Sequence, residues 1–132
     1  MNFMKDEKGQ SIIEALIAIA ILAAVAVSFL TALSTAYTTT ALAEERTTAE
    51  SLARSELEYL KKSTYDRDNN PPQYNEDPAL SYPATYSVSI EATRLDPDGD
   101  TTGDDDGIQE ITVKVYNQAR LVITMSTYKM NR

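Results

Sequence analysis

The chain contains no cysteine, no histidine and no tryptophan. The first two absences exclude disulfide scaffolds, thiolate or imidazole metal sites, and Ser-His or Cys-His catalysis, so any metal must be bound through oxygen. Basic residues are also in the minority. Twelve Lys and Arg against 20 Asp and Glu give a formal net charge of -8. A phosphate backbone needs a clustered Lys/Arg surface that this chain lacks, so no direct nucleic-acid binding is expected. Glycine and proline are scarce and come late: neither occurs between Gln10 and Lys62, and Pro71 is the first proline. The residues that end helices are therefore missing from the first half, which predicts one long helix. Catalysis would need a nucleophile with its base, or a convergent acid pair in a pocket. The carboxylates lie mainly on one helix side and in one loop, and no enzymatic activity is expected.

What is present, first, is a long apolar run. From Ala15 to Leu33, ALIAIAILAAVAVSFLTAL carries no charge, and Ser28 and Thr31 are its only polar interruptions. That is long enough to cross the hydrocarbon core as a helix. A secretory signal peptide would have a shorter apolar region ending at a small-residue site, whereas here helix-compatible sequence continues. Glu14 stands at the start of the run. A charged side chain at bilayer depth costs about 2.5–3.5 kcal/mol, which makes this glutamate a functional candidate. The plain alternative is a carboxylate that snorkels into the interface. Residues 34–62 continue the helix amphipathically. Leu42, Ala49, Ala53, Leu57 and Leu60 fall on one side, and Glu50, Arg54, Glu58 and Lys62 form an i,i+4 ladder on the next. Hydroxyl and β-branched residues between Ser34 and Thr40 lower helix propensity and mark the weakest place.

After Lys62 the texture changes. Residues 63–84 are rich in Asp, Asn and Pro without apolar periodicity, and read as a linker loop. Residues 85–132 contain three alternating segments, Thr85 to Thr93, Ile111 to Tyr116 and Leu121 to Tyr128. Their inward residues are expected to be Tyr86, Val88 and Ile90, then Ile111, Val113 and Val115, then Leu121, Ile123 and Met125. Asn117 to Arg120 supplies a short turn. A three-stranded antiparallel sheet is marginal alone, and its apolar face matches the uncovered stripe of the helix. The expected fold is α+β, a long N-terminal helix packed on a small sheet.

Lys8-Gly9-Gln10-Ser11-Ile12-Ile13-Glu14-Ala15-Leu16, leading into an apolar helix, resembles the class III signal of type IV pilins and type II secretion pseudopilins. The resemblance covers residues 1 to about 33. It implies a leader over residues 1–9, cleavage between Gly9 and Gln10 by a prepilin peptidase, and methylation of the new N-terminus at Gln10, where the family usually has Phe or Met. The membrane helix then spans residues 10–33, with the N-terminus inside and the remainder outside the cytoplasmic membrane. By the same resemblance Glu14 serves assembly, and the partners are other pilin or pseudopilin subunits, met through the N-terminal helix, and an inner-membrane assembly platform. The cleaved amine would lie four residues before Glu14, about one helical turn away, and a staggered neighbour could bring its own amine to that carboxylate. A looser likeness of SIIEALIAIAIL and AESLARSELEYLK to minor and I-type subunits suggests that kind of component in a pilus or secretion filament. The competing reading is an uncleaved single-pass anchor with an interaction or adhesion role, which gives no reason for the placing of Gly9 and Glu14.

One motif remains. LDPDGDTTGDDDG, Leu95 to Gly107, places Asp96, Asp98, Asp100, Asp104, Asp105 and Asp106 among three of the four glycines. A solvated acidic loop is one reading, since like charges repel. A calcium site is the other, because Ca²⁺ takes six to eight oxygen ligands and glycines allow the backbone to turn tightly. Asp96, Asp98 and Asp100 alternate as at the start of an EF-hand loop, but Thr101 and Gly107 stand where the turn Gly and the bidentate Glu belong. Any calcium geometry is therefore of another kind, using Asp96, Asp98, Asp100 and Asp104 or Asp106.

Overall fold

The computed structural model describes residues 7–99 and 105–131, with side chains from Ile12 onward. One helix, α1 (Glu7–Lys62), is followed by three strands, β1 (Tyr86–Arg94), β2 (Ile108–Asn117) and β3 (Arg120–Met130). The fold is α+β, as the sequence predicts. The chain divides into two compact units, one ending at Leu42 and one running from Ala43 to Arg132.

Among the described residues the first unit is helix alone. Its large apolar side chains, from Ile12 and Ile13 through Phe29 and Leu33, are all exposed, and Leu42 with them. By length and composition the helix can cross a membrane. The low-propensity stretch Ser34 to Thr40 stays helical, and its threonine hydroxyls turn back on the helix's own carbonyls. Thr35 donates to Thr31 O, Thr39 to Thr35 O and Thr40 to Ala36 O, at 3.0, 2.8 and 3.0 Å. Ser28 and Thr31 do the same within the apolar run, at 2.8 and 2.9 Å. No hydroxyl of that run needs an external partner in an apolar medium.

The second unit has the core. Ala49, Leu52, Ala53, Leu57 and Leu60 of α1 are buried with Ala92, Ile111, Val113 and Val115 of the sheet. The helical set recurs at three and four residues, the stripe an amphipathic helix turns to its cover. Of the charged ladder, Glu50 and Arg54 pair at 2.6 Å on the exposed side. The sheet has the order β1-β2-β3, both pairings antiparallel. Gln118 and Ala119 make the turn between β2 and β3, with φ of 49° and 65°. Two left-handed central residues define a type I′ hairpin, normally the place of Asn-Gly.

One strand departs from its simple alternation. The register pairs Val115 with Ile123 but Tyr116 with Leu121, so Val122 is an extra residue in β3. A bulge of this kind flips every side chain beyond it to the other face. Leu121, expected inward, is 49% exposed, and Val122 joins Ile123 and Met125 against the core. Truncation should register the difference. Ile111→Ala empties a fully buried site and should cost about 2–5 kcal/mol, whereas Leu121→Ala should stay within about 0.5 kcal/mol. Denaturant unfolding of the two variants measures both.

Candidate functional site

Two regions carry the residues to which the sequence points. In the first, the backbone of Gly9 and Gln10 lies within α1. Glu14 lies on the same helix and is exposed, in a neighbourhood of exposed Ile13, Leu16 and Ile17. In that company the carboxylate has an apolar surround on the described part of its own helix.

The second region is the loop between β1 and β2. Carboxylate oxygens of Asp96, Asp98 and Asp106 lie within 4.8 Å of one another. Two oxygens bound across one Ca²⁺ at about 2.4 Å each are separated by at most about this distance, so the three can share an ion. Asp100 and Asp104 lie outside the described residues. Asp96 also accepts from the Gly99 amide at 2.6 Å, and Gly99 holds φ of 75°, a conformation glycine adopts without strain. Asp105 turns the other way. Its Oδ1 accepts from the Tyr65 hydroxyl at 2.5 Å and the Gly107 amide at 3.1 Å. Burial, and then this hydrogen bond, raise the Tyr65 phenol above its ordinary value.

Sequence periodicity did not reveal the polar residues that fix the rest of this unit. Glu56 is fully buried on the core side of α1, accepting from the Asp77 amide at 3.1 Å and from the Tyr82 hydroxyl. Gln109, also fully buried, donates to Asp66 O at 2.6 Å and accepts from Tyr74 at 2.5 Å. Lys129, 6% exposed, reaches from β3 to the C-terminal end of α1 and donates to Leu60 O and, at 2.6 Å, to Ser63 O. A cation at that end meets the negative pole of the helix and its unpaired carbonyls. Burial lowers the Lys129 ammonium below its usual value. At the hairpin tip, Glu45 of α1 accepts from Asn117 at 2.8 Å and from Arg120 at 2.7 and 2.5 Å. These contacts hold the left-handed turn, and hydrogen bonds, that of Asn117 first, lower the Glu45 carboxyl.

The comparisons fit the first region. The prokaryotic N-terminal methylation motif matches residues 4–30, so the chain carries a prepilin-type signal. No curated protein and no solved structure gives a significant match.

The linker loop has its own acid-sensitive anchor. Asp66 accepts from the Gln73 amide at 2.7 Å, the Asn69 side chain at 2.9 Å and the amides of Asp68 and Asn69. These bonds, that of Gln73 first, hold its pKa at about 2. The folded value lies below the unfolded value of about 3.9, so the stabilisation is complete above pH 4 and is lost as pH falls from about 4 towards 2. Near-UV circular dichroism of the tyrosines should show a loosening step in that window. Asp66→Ala should lack the Asp66 part of it.

Proposed function

We propose that this protein is a structural subunit, of the minor or I-type kind, in a type IV pilus or type II secretion-type filament. The observation that carries the proposal is a methylation motif over residues 4–30 that opens a helix whose apolar side chains have no cover of their own. Lipid covers them before assembly and the helices of neighbouring subunits after it. A prepilin peptidase cuts after Gly9, the amine of Gln10 is methylated, and the helix crosses the cytoplasmic membrane with its N-terminus inside. Glu14 then meets the amine of a neighbour's Gln10, which removes two lone charges from an apolar medium. The remaining partners are the assembly platform and sibling subunits.

Intact-mass measurement of protein from membranes or filaments tests processing. The expected mature chain begins at Gln10 and carries one added methyl group, and Gly9→Leu should leave the precursor. A mature chain that still begins at Met1 would favour the uncleaved anchor. Glu14→Leu makes the helix more apolar, so insertion and cleavage should persist. Incorporation into filaments should fall, as read by shearing and immunoblot, and an undiminished yield would remove the charge pair from the mechanism.

A calcium ion in the loop is the second part of the proposal, supported by the convergence of Asp96, Asp98 and Asp106. Binding would relieve the repulsion between these carboxylates and fasten the β1–β2 connection. Calcium at a hundredfold its Kd should raise stability by about 2.7 kcal/mol. Asp98→Ala combined with Asp106→Ala should abolish the gain in a thermal unfolding experiment. Equal unfolding with and without millimolar Ca²⁺ leaves only a solvated loop.

A further inference from the structure

Both outer strands of the sheet are edges, and the two are built differently. Edge strands expose unpaired N–H and C=O groups, and proteins commonly blunt them with bulges or inward-pointing charges. β3 has both devices, the bulge at Val122 and the inward Lys129. β1 has no bulge, its register with β2 running uninterrupted from Tyr86↔Asn117 to Arg94↔Gln109, and its one inward-face charge, Arg94, stands at the far end, beyond Val88–Ala92.

The ladder's hydrogen bonds identify the groups on this edge. The Gln118 amide donates to Thr85 O at 2.9 Å and the Leu95 amide to Ile108 O at 3.0 Å, which extends the same register at both ends. Hydrogen-bonded positions alternate in an antiparallel pair, so Ser87, Ser89, Glu91 and Thr93 bond to β2. The N–H and C=O of Val88, Ile90 and Ala92 therefore point outward. Beside them lie two adjoining clefts of ≈ 390 and ≈ 400 Å³ that share Tyr74, Asn75 and Ile90. The facing wall includes Pro71 and Pro72, which have no N–H to offer, so this part of the linker cannot itself pair fully with the edge. Farther along, Arg94 ties the end of the strand to Arg67 O and Asn69 O at 2.5 and 3.0 Å. The channel thus has a fixed wall and an unpaired ladder.

Charge selects the occupant. Glu76 and Glu91 line the clefts; Glu91 is paired with Lys114 of β2 at 2.6 Å, and Glu76 carries the acidic charge of the facing wall, where no Lys or Arg stands among the described residues. A second copy of this chain would bring a net charge of -8 to the same acidic rim. We propose that the β1 edge at Val88–Ala92 binds an extended segment of a partner protein by strand addition, with alternate apolar and basic side chains. Main-chain bonds to Val88 and Ile90 supply the pairing, the apolar side chains meet Ile90 and Tyr74, and a basic one meets Glu76. This proposal does not depend on processing or on filament assembly.

The test uses the full-length protein in neutral detergent micelles and a capped heptapeptide alternating lysine with valine. Bound peptide should slow amide exchange at Val88 and Ile90. A glutamate–valine peptide and a lysine–valine peptide N-methylated at alternate residues should each bind at least about tenfold more weakly. Glu76→Lys, at an exposed position, should also weaken the lysine peptide about tenfold without changing the unfolding temperature. Equal binding of the N-methylated peptide would reduce the interaction to charge alone and overturn strand addition. So would unchanged exchange at Val88 and Ile90 with millimolar lysine peptide. Concentration-dependent slowing of these amides without peptide would make a second copy the occupant and overturn the partner assignment.

Discussion

The second unit depends on burying one stripe of α1 under the sheet. Ala49 and Ala53 are small enough to let the sheet approach closely, and Leu52, Leu57 and Leu60 fill the space around Ile111, Val113 and Val115. Once that approach is fixed, polar groups on the same face have no water and must find protein partners. Glu56 lies between Leu52 and Leu60 on this face, so the Asp77 amide and Tyr82 are drawn to it and the linker is pinned along the helix. Lys129 and Gln109 point inward for the same geometric reason. Their heads meet the carbonyls at the end of α1 and the backbone of Asp66. The linker is therefore ordered by polar groups of the core, although its own sequence has no apolar period.

This explains how far the sequence could be read. The helix was legible because breakers are absent up to Lys62, and β2 because Ile111, Val113 and Val115 alternate without interruption. Leu121 was not, since a bulge depends on the fit of β3 to β2 and leaves no local signature in LVITMSTY. Glu56 and Lys129 carry charges that pattern reasoning assigns to solvent, and only tertiary partners make their burial tolerable. Leu52 lies one residue before Ala53 and belongs to the same stripe. The wide contact face of a sheet reaches it, whereas the narrower set chosen from the sequence did not. In the loop before β2, the composition could not distinguish Asp105, which anchors Tyr65, from Asp96, Asp98 and Asp106, which converge on one another.

The two units satisfy their hydroxyl and carboxylate groups by different rules. Up to Leu42 the Ser and Thr hydroxyls that bond among the described residues return to the helix itself, such as Ser28 to Ala24 O, so most of the outer surface presents methyl and methylene groups. Glu14 and Tyr37 aside, a helix finished in this way needs nothing polar from its surroundings, which suits a hydrocarbon medium or the apolar interior of a bundle. From Ala43 onward local bonds such as Thr47 to Ala43 O persist, but side chains also bridge elements far apart in sequence, as Glu45 does with Arg120.

The same distinction accounts for where the recognisable signal lies. The N-terminal methylation motif is a set of residues at fixed spacing that leads into an apolar helix. Residues 4–30 match such a defined motif. A small core under three strands asks much less of its sequence, namely apolar residues of suitable size at alternating positions. Many sequences meet that demand, and features peculiar to this one, such as the bulge at Val122 or the left-handed Gln118-Ala119 turn, are set by local fit and not by a shared motif. A signal confined to the first part of α1, joined to a compact second unit without significant matches, follows from those unequal constraints.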